Sequence, residues 1–203
     1  MTASLFDLTG HAALVTGGNS GIGLGMAHGL AQSGADVCIW GTNVERNEAA
    51  VQELEKHGTR VRAIRCDVGD EAQVQAAFAG TVEHFGRVDS CFANAGVGGS
   101  GTRFVATSLE DFRAVTRVNL DGAFLTLRAA AAHMVERGGG GVLVGTSSVS
   151  AVHGAPRGRR TRGDLLLDRS HHPLAVALPA HLVTLVESHA ARIPGRNRTK
   201  PQA

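Results

Sequence analysis

Hydrophobic and polar positions along the first three quarters of the chain alternate between two spacings. Short apolar runs predict buried strands, and longer stretches with apolar residues every three or four positions predict helices. The predicted strands are 11–16, 37–40, 60–65, 88–93 and 142–146, and the predicted helices are 24–31, 43–57, 70–85 and 107–134. Strands that are almost continuously apolar and alternate with helices predict an α/β fold, whose parallel sheet is covered on both faces.

A glycine-rich turn at residues 14–23 joins the first strand to the first helix, with glycines at 17, 21 and 23. The N-terminus of a helix carries free backbone N–H groups and a partial positive charge, so such a turn suits a phosphate. One glycine permits the turn, one lets a pyrophosphate approach the backbone, and one lets the helix pack on the strand. The stretch indicates a nucleotide site. A plain loop is the alternative, since the spacing differs from GxGxxG.

The last predicted helix, 107–134, opens with a capping box, TSLE at 107–110, and is stopped by four glycines at 138–141. The apolar stripe expected on it consists of Leu109, Phe112, Val115, Leu120, Phe124, Leu127 and Met134. Asn119 lies inside this helix, although asparagine is a poor helix former. A solvated polar residue and a functional residue are both open readings of Asn119.

Composition places a boundary near residue 156. Residues 1–156 carry 11 Lys and Arg against 15 Asp and Glu, residues 157–203 carry 9 against 3, and all five prolines lie at or after position 156. We therefore divide the chain into a folded domain, 1–156, and a basic tail, 157–203. No long apolar run or signal-like start is present, so we expect a cytoplasmic protein without a membrane partner. Three isolated cysteines predict buried thiols and no metal site.

Five motifs in a fixed order carry a family resemblance. They are TGGNSGIG at 16–23, CDV at 66–68, NAG at 94–96, VNLDGAF at 118–124 and VGTSSVSAVHGAP at 144–156. Together they resemble the short-chain dehydrogenase/reductase family over about residues 5–156. The resemblance implies a Rossmann-like, doubly wound parallel sheet of about five strands in the order 3-2-1-4-5. It also implies an NAD- or NADP-dependent oxidoreductase that interconverts a secondary alcohol and a ketone.

The resemblance further implies which residues bind the cofactor. The pyrophosphate would be held by Gly17, Asn19, Ser20, Gly21, Ile22 and Gly23. Asp67 and Val68 would contact the adenine, although an ordinary strand-end aspartate is the alternative for Asp67. The crevice beside the nicotinamide ribose would be formed by Asn94, Ala95 and Gly96.

Cofactor choice depends on the end of the second strand, where an acid selects NAD and a nearby arginine accommodates the 2′-phosphate of NADP. This chain has Gly41, Thr42 and Asn43 there, with Arg46 three residues further on. Thr42 and Asn43 are therefore candidate contacts to the adenosine ribose. Because no acid would repel a phosphate, we favour NADP over NAD.

The catalytic part of the resemblance is incomplete. Asn119 would interrupt the helix and anchor a water in a proton relay, and Ser148 would hydrogen-bond the substrate, with Ser147 the candidate if the register shifts by one. The family's catalytic Tyr and Lys would fall at Thr161 and Leu165, and the chain contains no tyrosine at all. A phenol has a pKa near 10, within reach of tuning, whereas an aliphatic alcohol lies far above it. We therefore expect impaired turnover.

The tail does not match the family's continuation, and an out-of-frame or spliced 3′ end is our leading hypothesis for it, with an evolved tail as the rival. We expect it to be irregular or to form one short helix at residues 179–193, which could lie over the fifth strand. Its arginines lack interleaved aromatic residues, which argues against nucleic acid. Its histidines fit no metal spacing.

Three functions are consistent with these observations. The first is an oxidoreductase acting on a small alcohol or carbonyl compound, with 3-oxoacyl and sugar- or polyol-like substrates among those open. The second is a catalytically dead nucleotide-binding module that pairs with intact relatives through residues 108–136. The third is a truncated product without function. A homo-oligomer is usual in the family, but the helix that normally completes its interface is missing from this sequence.

Overall fold

The computed structural model describes residues 6–99, 106–147 and 191–193. Within these residues the strands are β1 Ala12–Thr16, β2 Asp36–Gly41, β3 Val61–Arg65, β4 Ser90–Ala93, β5 Gly141–Gly145 and β6 Ala191–Ile193. The helices are α1 Gly21–Gln32, α2 Val44–Leu54, α3 Glu71–Phe85, α4 Leu109–Thr116 and α5 Gly122–Arg137. A single 3₁₀ turn, Glu55–His57, follows α2, and a π-helical segment, Arg117–Asp121, joins α4 to α5.

The strands form one sheet in the order β3-β2-β1-β4-β5-β6, and its first five strands are parallel. The predicted α/β class and the order 3-2-1-4-5 are confirmed, and the sheet is Rossmann-like. The chain crosses from one half of the sheet to the other in the connection from β3 to β4, through α3, so the strand order reverses where β1 lies beside β4. In sheets of this kind, ligands bind in the crevice at the carboxyl ends of the strands, where the order reverses.

Two hydrophobic cores cover the two faces of the sheet, because successive strand residues point to opposite sides. One core lies against α3 and α5 and includes Leu14, Trp40, Phe78, Leu127 and Met134. The other lies against α1 and α2 and includes Val15, Ile39, Ala27, Ala31 and Leu54. The alternation along β1 and β2 assigns neighbouring residues to different cores, as a doubly covered parallel sheet requires.

The predicted boundaries of α3 are confirmed. The carboxylate of Asp70 accepts a hydrogen bond from the backbone N–H of Gln73, and Gly86 ends the helix with a φ of 78°. The predicted capping box of α4 is wrong by one residue. Ser108, not Thr107, is its N-cap, and the Ser108 hydroxyl accepts from the N–H of Asp111 at 3.0 Å.

The single long helix predicted over 107–134 is two helices with the π-helical segment between them. The extra residue in the π-helical segment rotates α5 about the helix axis relative to α4. The apolar residues of the two helices therefore do not form the one continuous stripe that a single helix would have. Val115, Leu127 and Met134 are buried as predicted, but Leu109, Phe112 and Phe124 are exposed. Association of the chain through this face stays a prediction.

β6 pairs with β5 in antiparallel register, with Ala191 opposite Leu143 and Ile193 opposite Gly141. The helix predicted over 179–193 is therefore wrong at residues 191–193, and the rest of it lies outside the described residues. An open sheet edge offers unpaired N–H and C=O groups, which an extended segment satisfies better than a helix does. Of the helices in the described part of the chain, none combines the length and apolarity needed to cross a membrane.

The three cysteines are buried and unpaired, as predicted. Burial raises the pKa of the Cys91 thiol to about 12 and that of Cys38 to about 11. Cys38 and the indole of Trp40 share one partner on α3, because the Trp40 Nε1–H donates to the Thr81 hydroxyl at 3.1 Å and the Cys38 sulfur lies 3.3 Å from it. These contacts of Cys38 and Trp40 with Thr81 connect β2 to α3 through the hydrophobic core between them.

Replacing Thr81 with valine should destabilise the fold by about 1–3 kcal/mol, because the buried Trp40 N–H loses its acceptor. Thr126→Val is the matched control. Thr126 is equally buried, and its hydroxyl also donates to the carbonyl four residues earlier, at 2.7 Å. Loss of the Thr126 hydroxyl leaves no buried donor without an acceptor, so Thr126→Val should lower the free energy of unfolding by less. Urea unfolding measures both, and equal losses would contradict the role of the Trp40 contact.

Candidate functional site

The turn between β1 and α1 leaves little or no room for a side chain at three of its glycines, Gly17, Gly18 and Gly23. Gly17 has a φ of +64°, and its N–H donates to the carbonyl of Trp40 at 2.8 Å. A Cβ atom on Gly23 would lie 2.2 Å from the Gly17 carbonyl oxygen, and one on Gly18 would lie 2.6 Å from Ile39 Cγ2. At Gly21, by contrast, where φ is +54°, a Cβ would meet nothing within 4 Å. The backbone there is open to a ligand.

The N-terminus of α1 is free of the groups that usually occupy such a position. Its N-cap, Ser20, is in an extended conformation and makes no side-chain capping hydrogen bond, and no acidic residue lies in the first turn. The first N–H groups of a helix have no partner within it. Ile22 exposes 70% of its surface beside them. These features fit a phosphate bound to backbone amides with an apolar group next to it.

Thr16, which the sequence analysis did not single out, connects this turn to the one after β4. Its hydroxyl oxygen accepts hydrogen bonds from the backbone N–H groups of Asn94 and Ala95, each at 3.0 Å. The side-chain amide of Asn94 donates to the Thr16 carbonyl at 3.1 Å. Since β1 and β4 flank the point where the strand order reverses, these bonds hold both walls of the crevice in register.

Asn119 lies in the π-helical segment and is only 5% exposed, so its alternative reading as a solvated residue is wrong. Its side-chain oxygen accepts from the N–H of Val97 at 2.8 Å, and its side-chain nitrogen donates to the Val97 carbonyl at 3.0 Å. The side-chain amide of Asn119 therefore makes the two hydrogen bonds with the Val97 backbone that a neighbouring strand would make. It fastens the segment after Gly96 to the interrupted helix.

Asp67 and Val68 follow β3 at the same edge of the sheet. The Asp67 carboxylate accepts from the N–H of Gly69 at 3.0 Å and remains partly exposed. The Val68 side chain is buried, and a Cβ on Gly122 would lie 2.5 Å from its Cγ2 atom. A ligand could therefore contact Val68 only through its backbone.

The end of β2 is organised by an amide pair. The side chain of Asn19 donates to Asn47 Oδ1 at 2.7 Å, and Asn47, which is 4% exposed, donates to the Gly41 carbonyl at 3.0 Å. A Cβ on Gly41 would lie 2.3 Å from the Asn19 amide nitrogen. Asn47 was missed in the sequence because it reads as one more polar residue on the surface of α2.

The residues after Gly41 are exposed. Thr42 projects into solvent, and Asn43 is the N-cap of α2, where its side-chain oxygen accepts from the Arg46 N–H at 2.7 Å. Asn43 thus has a structural role of its own. Its predicted contact with the cofactor, and that of Thr42, stay predictions.

Ser148 lies outside the described residues. The two hydroxyls just before it, on Thr146 and Ser147, are buried and have no hydrogen-bond partner within the described part of the chain. The backbone N–H of Thr146 donates to the Ala93 carbonyl at 3.0 Å, which keeps this segment beside the end of β4. Thr146 and Ser147 therefore lie at the carboxyl end of β5, next to that of β4.

Comparison with known proteins agrees with this geometry. The sequence profile of the short chain dehydrogenase family matches residues 11–159. The chain belongs to this family. It is 39% identical over 150 residues to 2,5-dichloro-2,5-cyclohexadiene-1,4-diol dehydrogenase of Sphingobium indicum. It is 37% identical over 147 residues to D-threitol dehydrogenase of Mycolicibacterium smegmatis. These matches cover 74% and 72% of this chain but only 59% and 56% of the relatives.

Solved structures of family members share the fold. NAD⁺-bound xylitol dehydrogenase superposes with a TM-score of 0.74 at 30% identity, covering 83% of this chain and 61% of that one. A short chain dehydrogenase from Burkholderia cenocepacia in complex with NADP gives 0.71 at 33% identity, covering 82% of this chain and 65% of that one. Structures of this family thus contain either dinucleotide, and this chain spans about three fifths of their length.

Gly23→Ala should destabilise the fold by about 1–3 kcal/mol, because the added methyl group overlaps a backbone oxygen that cannot move away without opening the turn. Gly25→Ala is the control, since Gly25 lies in the same helix with open space around it. That change should stabilise the protein by roughly 0.5–1 kcal/mol through helix propensity. Chemical denaturation of the two variants checks this. A Gly23→Ala variant at least as stable as wild type, or effects of the same sign and size at both sites, would refute the tight turn.

Proposed function

We propose that the chain binds NAD or NADP across the carboxyl edge of the sheet, as its family membership implies. The glycine-rich turn at the N-terminus of α1 carries this proposal, because its helix N-terminus has no side-chain cap and no acidic residue. Its residues Gly17, Asn19, Ser20, Gly21, Ile22 and Gly23 would hold the pyrophosphate. Backbone amides and the helix dipole supply the attraction, and Gly21 leaves the approach open.

The adenosine half of the cofactor would lie over the ends of β2 and β3. Asp67 offers a partly exposed carboxylate to the amino group of the base, and the backbone of Val68 adjoins it. Thr42 and Asn43 would face the ribose. With no carboxylate among Gly41, Thr42 and Asn43, a 2′-phosphate meets no repulsion there, and we favour NADP over NAD for this reason.

The reacting half would lie in the crevice between the ends of β4 and β5. Asn94, Ala95 and Gly96 would border the nicotinamide ribose, Asn119 would hold a water, and Ser148 would hydrogen-bond the substrate. The nicotinamide ring, when bound, donates or accepts a hydride. Relatives named as dehydrogenases of a cyclohexadiene diol, of L-rhamnose and of D-threitol support a small hydroxylated or carbonyl compound as the substrate class.

We expect the reaction itself to be slow. The proton of the substrate hydroxyl must leave as the hydride leaves its carbon, and a tyrosine does this in the family. This chain has no tyrosine, and Thr161 occupies the corresponding place. The alternative function, a nucleotide-binding module without turnover, follows if no other group replaces the phenol.

Nucleotide binding should weaken when a negative charge is placed beside the turn between β1 and α1. Ile22→Asp should weaken NADPH binding by tenfold or more, because about 1.4 kcal/mol of repulsion between charges a few ångströms apart suffices for that factor. Aspartate in the first turn favours the helix, so the fold should survive. Titration followed by the fluorescence of reduced nicotinamide measures the change, and repetition with NADH gives the preference.

Val135→Asp provides the control for that titration. Val135 is also an exposed apolar residue on a helix, but it lies on α5 and outside the proposed site. Its replacement should leave binding unchanged. Equal losses in both variants, or no binding of NADPH or NADH by the wild-type chain, would contradict the proposed site.

Ketone reduction with NADPH should be about 10²–10⁴-fold slower than in a tyrosine-bearing relative, because a positioned acid contributes a factor of that size. D-threitol dehydrogenase of M. smegmatis serves as the reference, assayed with the same panel of small ketones and polyol-derived carbonyl compounds. Turnover equal to that of the relative would refute the impairment. Binding without any turnover would favour the nucleotide-binding module.

A further inference from the structure

Each oxygen of the Asp67 carboxylate has a partner of its own. One oxygen, Oδ1, accepts from the Gly69 N–H at 3.0 Å, and the other, Oδ2, lies 2.9 Å from Nη1 of Arg117. The Asp67 N–H in turn donates to the side chain of Gln73 at 3.0 Å. Both carboxylate oxygens are thus tied to groups of known position, which restricts the rotation of the side chain.

Arg117 is itself held by close packing. A Cβ atom on Gly69 would lie 2.4 Å from Arg117 Nη1 and 2.9 Å from its Cζ, so the guanidinium occupies the space beside the glycine. Directly after this segment, Gly122, the first residue of α5, packs against Val68 without room for a side chain. The π-helical segment and the start of α5 therefore pack against residues 67–69, which places the guanidinium beside the Asp67 carboxylate.

The pair nevertheless stays accessible at the edge of the sheet. The side chains of Arg117 and Asp67 expose 46% and 32% of their surface. A carboxylate has about four lone-pair positions, of which the Gly69 N–H uses one, while Arg117 adjoins the other oxygen as an ion pair. The remaining positions can accept hydrogen bonds from a ligand that approaches the carboxyl end of β3.

We propose that Arg117 is a positioning residue that holds Asp67 so that it recognises the 6-amino group of adenine. This inference rests on the proposed function, which brings the adenine to Asp67. Arg117 acts through the carboxylate and need not touch the base. Its planar guanidinium keeps one orientation of the carboxylate, which a flexible lysine would do less well.

Adenine and hypoxanthine differ in the group that would face the Asp67 carboxylate. Adenine presents an amino donor at position 6, whereas hypoxanthine presents a carbonyl oxygen, whose lone pairs face those of the carboxylate. A fixed Asp67 therefore discriminates between the two bases. If Arg117 only stabilised the fold, its loss would weaken both nucleotides by the same factor.

The test compares NADPH with its hypoxanthine analogue in three proteins: wild type, Arg117→Met and Arg128→Met. Arg128 is the matched control because it pairs on the surface with Glu71, away from Asp67. Wild type and Arg128→Met should bind NADPH about tenfold more tightly than the analogue, the value of one hydrogen bond to a charged group. In Arg117→Met the two affinities should approach each other. Nicotinamide fluorescence reports both nucleotides, since the analogue keeps the reduced ring.

Each outcome decides the matter. A tenfold ratio that persists in Arg117→Met, or a ratio near one in the wild type, overturns the role of Arg117 while NADPH binding remains intact. No binding of NADPH by the wild type overturns the proposed function and this inference with it. Thermal unfolding checks that the variants fold. Arg117→Lys, which keeps the charge but not the planar group, should fold and discriminate less than wild type, and full discrimination in it would contradict the proposal.

Discussion

The site depends on one constraint, which is the close packing of the backbone at Gly17 against the backbone at Gly23 in the turn after β1. The Gly17 carbonyl occupies the space that any side chain at position 23 would need, so the first turn of α1 lies directly against the end of the strand. Thr16 then ties this turn to the one after β4 through its hydroxyl. Free amides, a helix dipole and an open approach at Gly21 result from that geometry.

Sequence patterns predicted most of the fold because its elements have strong local signals. Asp70 and Gly86 mark the ends of α3 through short-range hydrogen bonds and a positive φ, and the apolar runs of β1 and β2 form the two most buried strands. The predictions failed where packing decided the outcome. Phe112 and Phe124 follow helical spacing but lie on the exposed side of an interrupted helix. The antiparallel β6 depends on a distant edge of the sheet that no local pattern reports.

The candidate site divides in the same way. Its glycines and Asn119 were recognisable from motifs. The roles of Thr16, which opens the first motif, and of Asn47 and Arg117 were not, because each acts through partners far away in the sequence. The two halves of the proposed function rest on different grounds. The half of the crevice proposed to hold the cofactor has a closely packed turn and hydrogen bonds between neighbouring strand ends. The proton-handling half depends on a phenol for which this sequence has no residue.

The most direct test of the account follows individual backbone amides by NMR while NADPH is added to the isotopically labelled protein. The N–H resonances of Gly21, Ile22 and Gly23 should shift most, together with those of Asn94 and Ala95, because these groups lie on the two walls of the crevice. Amides of α5 near Val135 should stay unchanged. A titration in which the resonances of residues 21–23 do not move, or in which others move in their place, would contradict the account.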